Sequence, residues 1–85
     1  MRYRVEWAKS ALRELHALRD STAIRITRAT RELGDVPRPV GCKKLKGFKD
    51  LWRIRVGEYR VLYVIADEIR LVRVERVADR KDVYR

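Results

Sequence analysis

The stretch Leu51-Trp52-Arg53-Ile54-Arg55-Val56-Gly57-Glu58-Tyr59-Arg60-Val61-Leu62-Tyr63 decides the fold. Apolar and charged residues alternate on both sides of Gly57-Glu58, which is the period of a half-buried strand. A Gly-X pair between two such runs suits a type II′ hairpin. With Gly57 and Glu58 as the turn, Val56 opposes Tyr59, Arg55 opposes Arg60, Ile54 opposes Val61, Arg53 opposes Leu62 and Trp52 opposes Tyr63. One face then carries Trp52, Ile54, Val56, Tyr59, Val61 and Tyr63, and this face is expected to pack on helices. The other face carries Arg53, Arg55 and Arg60. Like charges directly opposite each other cost roughly 0.2–1 kcal/mol relative to a neutral pair. A sheet that needed only solubility would alternate signs there, so the three arginines read as an anion-binding site.

Working outward toward the C-terminus, Ala66 to Ile69 reads as a turn and Ile69 to Val77 as a third strand. A two-residue turn at Asp67-Glu68 would set Arg60 opposite Glu75 and Leu62 opposite Arg73. Val72 and Val74 then join the core face, and Leu62, Val64 and Leu71 stay on the arginine face, where a partner's helix or the C-terminal tail could cover them. The polar tail 78–85 carries Arg80 and Tyr84. Toward the N-terminus, Val36 to Asp50 is a loop by composition, with Pro37, Pro39, Gly41 and Gly47. Its Arg38, Lys43, Lys44, Lys46 and Lys49 form a candidate phosphate-contacting strip. Ala23, Ile26, Ala29, Thr30 and Leu33 mark the inner stripe of a helix capped by Asp20 or Ser21 and closed at Gly34. Ala8, Ala11, Leu12, Leu15 and Leu18 mark one face of an earlier helix, antiparallel to the second. Tyr3 to Trp7 alternates as a first strand.

The chain has 85 residues and a formal net charge of +10, from 22 Lys plus Arg against 12 Asp plus Glu; 16 of the 22 are arginine. That length predicts one domain, 1–85, and excludes a large enzyme with a deep enclosed pocket. No apolar stretch approaches the ~20 residues of a spanning helix, so no membrane association is expected. Met1-Arg2-Tyr3-Arg4 leads into no apolar signal segment. Cys42 is the single cysteine, which fits a reducing cytoplasm. The charge implies a polyanionic partner, nucleic acid first and an acidic protein second. His16 is the only histidine and lies away from the arginines, and no residue cluster has metal-ligand spacing, so no metal or cofactor is expected.

The stretch from Gly41-Cys42-Lys43-Lys44-Leu45-Lys46-Gly47 through Leu51-Trp52-Arg53 to Tyr63 resembles the central signature of RelE-type toxins, of the RelE/ParE toxin–antitoxin superfamily. Asp79-Arg80-Lys81-Asp82-Val83-Tyr84-Arg85 resembles the family's C-terminal signature, and Tyr3 to Leu15 fits its opening. The resemblance covers essentially the whole chain. It implies an α+β fold: a small twisted antiparallel sheet with an N-terminal strand, a two-helix hairpin on one face, and a three-stranded meander. It also implies a cytoplasmic, ribosome-dependent endoribonuclease that cuts mRNA in the A site. In that reaction the RNA's 2′-hydroxyl attacks the adjacent phosphate without a metal.

By position, the resemblance makes Arg53, Arg55, Arg60, Arg80 and Tyr84 the catalytic set. Lys43, Lys44, Lys46, Lys49 and Arg73 become RNA- or ribosome-binding residues, and Leu62, Val64 and Leu71 antitoxin-binding ones. The implied partners are a small RelB-like antitoxin, the ribosome and mRNA, with operator DNA reached only through the antitoxin. Some relatives carry lysine, a candidate general base, where this chain has Arg53 or Arg55. Arginine cannot be deprotonated in a protein, which leaves the proton acceptor unassigned. Asp79 stands where many relatives have histidine or lysine, and is read as a local partner for Arg80. A ParE-like inhibitor of DNA gyrase and a catalytically weak relative that only binds RNA and antitoxin are the alternatives.

Overall fold

The structure is a computed structural model and describes residues 2–80. The elements are β1 (Arg4–Trp7), α1 (Lys9–His16), α2 (Asp20–Glu32), β2 (Lys43–Lys44), β3 (Leu51–Val56), β4 (Tyr59–Ala66) and β5 (Leu71–Asp79). They form one five-stranded sheet in the order β1-β5-β4-β3-β2. The class is the expected α+β, but the sheet is mixed rather than antiparallel throughout. β1 runs parallel to β5, pairing Arg4 with Leu71 and Trp7 with Val74. Alternation in Tyr3–Trp7 marks a strand but carries no information about its neighbour or direction. β2 is a further addition: two residues of the presumed loop pair with β3 at the opposite edge.

The β3–β4 register is the one the hairpin rule predicts, from Val56 opposite Tyr59 to Trp52 opposite Tyr63. The β4–β5 register differs. Asp67–Ile69 form a 3-10 turn and Arg70 closes it in the left-handed region (φ 52°, ψ 57°), so Ala66 pairs with Leu71 and Tyr63 with Val74. A bulge between Leu62 and Tyr63 shifts the pairing again, placing Leu62 opposite Arg76 and Arg60 opposite Ala78 rather than Glu75. Neither the longer turn nor the bulge has a composition signal in this segment. The bulge has a partner, however. The Val77 N–H donates to Glu14 Oε1 of α1 at 2.8 Å, and Arg76 Nη2 lies 3.3 Å from Glu14 Oε2. One helix carboxylate thus engages the strand beside its irregularity.

The helices pack on the apolar face of the sheet, α1 against β5 and α2 against β3. Ala11, Ile26, Val61, Tyr63, Val72 and Val74 are fully buried at the centre. Full burial of each Val or Ile side chain is worth about 1.5–3 kcal/mol. Leu12, expected on the inner stripe of α1, is instead exposed. α2 starts at Asp20 with Arg19 in the cap position, so neither Asp20 nor Ser21 caps it by side chain; Asp20 instead places its charge in the first turn. Gly34 is required by close approach rather than by a left-handed cap. A Cβ there would stand 3.0 Å from the Tyr3 carbonyl, and the Tyr3 N–H donates to the Gly34 carbonyl at 2.7 Å. That contact seats the start of β1 on the end of α2.

The loop after α2 is fixed at two points. The buried Tyr63 hydroxyl donates to the Pro37 carbonyl at 2.8 Å. Burial, and secondarily the Cys42 thiol, push the Tyr63 phenol well above its ordinary value, so it remains a donor. Arg38 makes two hydrogen bonds to Asp67, at 3.3 and 2.9 Å, while its guanidinium carbon lies 5.0 Å from the Trp52 ring centroid. The Tyr3 hydroxyl also donates to Asp67, at 2.6 Å. The Arg38 and Tyr3 hydrogen bonds hold the Asp67 carboxyl below its ordinary 3.8. A lowered folded-state pKa contributes stability that is complete above the ordinary value and is lost as pH falls through the folded one. Asp67→Asn is therefore expected to lower the melting temperature at pH 6, with the gap to the parent closing below about pH 4, where an unperturbed Asp titrates. Paired thermal melts across that range check it.

Candidate nucleic-acid interface

The face of the sheet away from the helices is organised in rows across the strands. Arg55 of β3 lies directly opposite Arg60 of β4. One row along, Lys43 of β2 lies opposite Arg53, which lies opposite Leu62. Directly opposed residues share a face, so Lys43, Arg53, Arg55 and Arg60 belong to one surface. Arg53 and Arg60 are only 6% and 8% exposed, while Arg55 and Lys43 are exposed. A guanidinium this buried is costly unless it meets hydrogen-bond acceptors. Arg53 Nε is buried without a hydrogen-bond partner among the described residues.

The turn that sets this register depends on Gly57, whose φ of 61° lies where an L side chain is strained. Glu58 is outside the left-handed region, which is the II′ rather than the I′ pattern. Two further arginines reach this end of the hairpin. The Arg80 N–H donates to the Glu58 carbonyl at 2.9 Å, and its Nη1 lies 3.9 Å from Glu58 Oε1. Arg25, an exposed residue of α2, has its guanidinium against the turn, with Nη1 3.3 Å from where a Gly57 Cβ would stand. The sequence placed Arg80 with the site, and the structure brings it to the hairpin end. Arg25 went unnoticed, because helical periodicity shows that it is outside but not what it leans on.

The other predicted residues divide. Lys44, Lys46 and Lys49 are exposed, beside an exposed Phe48. Arg73 pairs with Glu75 at 3.1 Å on β5 and stands apart from the row of arginines. Leu62 is buried within the chain, while Val64 and Leu71 are half-buried. Asp79 pairs with Tyr59, the register position that alternates with Arg60, so it does not sit in the arginine row. His16 is exposed at the end of α1. Tyr84 lies outside the described residues. Among the described residues, no three of His, Cys, Asp and Glu gather as a metal site, and no helix is long and apolar enough to cross a membrane.

A face of clustered cations around a buried guanidinium is a candidate surface for an oligoanion. Residues 5–84 match the family described as the ParE toxin of type II toxin–antitoxin systems. The chain belongs to that family, within the RelE/ParE superfamily. The fold is similar to the RelE of the archaeal RelE-RelB complex from Pyrococcus horikoshii, with TM-score 0.84, 27% identity and coverage of 98% of this chain and 100% of that one. It is likewise similar to a chain of the RelBE2 toxin-antitoxin complex from Mycobacterium tuberculosis, with TM-score 0.83, 29% identity and coverage of 94% and 100%. An Escherichia coli protein described as RelE-like is 31% identical over 88 residues, covering 99% of this chain and 92% of the relative.

Because Gly57 sets the pairing of Arg55 with Arg60, Gly57→Ala is expected to lower stability by about 1–2 kcal/mol through backbone strain. Arg25 is the end of a flexible side chain and can move aside from the new methyl. Denaturant unfolding of the two proteins measures the difference.

Proposed function

We propose that this protein is a ribosome-dependent endoribonuclease that cleaves mRNA in the A site, the toxin partner of a small RelB-like antitoxin. The observation that carries the reading is the pairing of Arg55 with Arg60, next to the buried Arg53, on the sheet face away from the helices. The RelE-type relatives of the same fold support it.

The chemistry asks for what this face holds. When the 2′-oxygen forms its bond to phosphorus, negative charge gathers on the equatorial oxygens. The bond to the 5′-oxygen then breaks, leaving a 2′,3′-cyclic phosphate and a 5′-hydroxyl. Fixed guanidinium donors stabilise that charge where it develops, and need no reorganisation if they are already held in place. Arg60 is the proposed clamp on the scissile phosphate, with Arg53, Arg55 and Arg80 around it. Tyr84 is the proposed stacking residue for a base. A domain of this size supplies little substrate alignment of its own, so alignment is assigned to the ribosome, where the exposed Lys44, Lys46 and Lys49 would lie against RNA phosphates. The cytoplasm is the corresponding setting.

The antitoxin is proposed to lay acidic side chains over the arginines and an apolar side on Val64 and Leu71, and to carry the complex to operator DNA. The P. horikoshii and M. tuberculosis relatives were solved as toxin–antitoxin complexes, which supports a partner of this kind. A second reading, inhibition of DNA gyrase, draws support from the ParE description of the matching family. It has no need of the opposed arginines.

The two readings separate on one experiment. After induction in cells lacking the antitoxin, mRNA 5′ ends are mapped for the parent and for an Arg60→Ala, Arg80→Ala double variant. New in-frame cuts with the parent, reduced at least 100-fold in the variant, are expected. Absence of cuts, together with inhibited supercoiling by the purified protein, would establish the gyrase reading instead.

A further inference from the structure

Lys43 appears in the sequence as one lysine of a basic loop, and the structure places it elsewhere. It lies in β2, directly across from Arg53, in the row next to the Arg55–Arg60 pair. We infer that Lys43, together with the side of Arg53 that faces it, forms a second phosphate position, which holds the phosphate adjacent to the scissile one while Arg53 stands between the two. The inference rests on the ribonuclease reading for which phosphate is scissile, but its observations are separate.

Four facts carry it. First, each row contains one directly opposed pair of cations, Lys43–Arg53 and Arg55–Arg60. Second, Arg53 is more than nine-tenths buried, and its Nε has no hydrogen-bond partner among the described residues. Third, β2 is only two residues long, and Lys43 is exposed. A two-residue strand adds little to the sheet, but it delivers one ammonium group to the edge beside the buried guanidinium. Fourth, Arg53 and Arg55 are two residues apart on one strand, so the rows repeat at about 6.8 Å. That is close to the phosphate repeat of an extended RNA strand. An RNA crossing the face along β3 would meet the two rows with successive phosphates.

The roles of the pair differ. The guanidinium offers planar, fixed donors, while the ammonium is a mobile point charge that can follow the strand. The position is a reader of charge and carries no base information. It implies that the substrate must be longer than a dinucleotide with a single phosphate.

Neutral methylphosphonate linkages test this. Ribosomes are programmed with a short mRNA whose A-site codon carries one methylphosphonate, placed on either side of the scissile phosphate. At one of the two sides, the parent protein is expected to cleave about 10-fold more slowly than on all-phosphate mRNA. Lys43→Ala should be slower by about the same factor on all-phosphate mRNA and should show no further loss with that methylphosphonate. Lys43→Arg, which keeps the charge, should restore the sensitivity. Equal methylphosphonate penalties in the parent and in Lys43→Ala would overturn the inference. So would the absence of any penalty at both sides in the parent. If the parent leaves all-phosphate mRNA uncut, the ribonuclease reading falls. The same comparison is then read by anisotropy, as binding of trinucleotides with and without the modified linkage, and a penalty unaffected by Lys43→Ala still overturns the inference. Lys43 is exposed at an edge, so its replacement should leave folding intact, and a thermal melt verifies it.

Discussion

The pairing register of β3 on β4 is the constraint on which the rest depends. Side chains on a strand alternate between faces, so a slip of one residue would put Ile54, Val61 and Tyr63 in water and the arginines against the helices. Burial of Val61 and Tyr63 under α1 and α2 holds the register from one side. The II′ turn at Gly57 holds it from the end. Once it is fixed, Arg55 and Arg60 must face each other, and they do so against their mutual repulsion. The core thus supplies the free energy that keeps the like charges together, with Arg55 exposed and Arg60 buried beside it.

Every other element either steadies this hairpin or extends its charged face. β5 flanks β4, and Glu14 meets the bulge that lets Arg76 and Val77 rejoin the ladder. The Asp67 carboxylate ties the start of β1, the loop after α2 and the β4–β5 turn together, with Arg38 lying over Trp52. That loop leads into β2, whose placement at the edge of β3 brings Lys43 beside Arg53. Arg25 and Arg80 arrive at the turn from a helix and from the end of β5. Cations from five different segments are thus gathered on the hairpin and at its turn.

Much of this was legible before any coordinates. The alternation from Leu51 to Tyr63 carries both the strand assignment and the register, because the turn residues fix the pairing and the pairing fixes the faces. The helices were legible from their apolar stripes, although Leu12 is exposed despite its spacing. What failed did so for physical reasons. The β4–β5 register depends on a left-handed Arg70 and a bulge, neither of which requires a distinctive residue. The parallel pairing of β1 depends on tertiary topology, and local sequence carries no record of direction. Lys43 was expected to contact RNA from a basic loop and not from a strand beside Arg53, since a two-residue strand is too short for a period. Arg25 and Lys43 join the site only through neighbours distant in sequence. The antitoxin and ribosome assignments were legible through family resemblance alone and rest on it still, with the charged face as their physical support.

The central claim is that the sheet tolerates opposed arginines because they are for an anion. The direct measurement is thermal unfolding of the parent and of Arg55→Thr, each with and without a 2′-O-methyl RNA trinucleotide that cannot be cleaved. The account predicts that the variant alone unfolds at a higher temperature, by the roughly 0.2–1 kcal/mol of relieved repulsion. It also predicts that the trinucleotide raises the melting temperature of the parent and leaves that of the variant nearly unchanged. A variant less stable than the parent, with an undiminished response to the RNA, would contradict it.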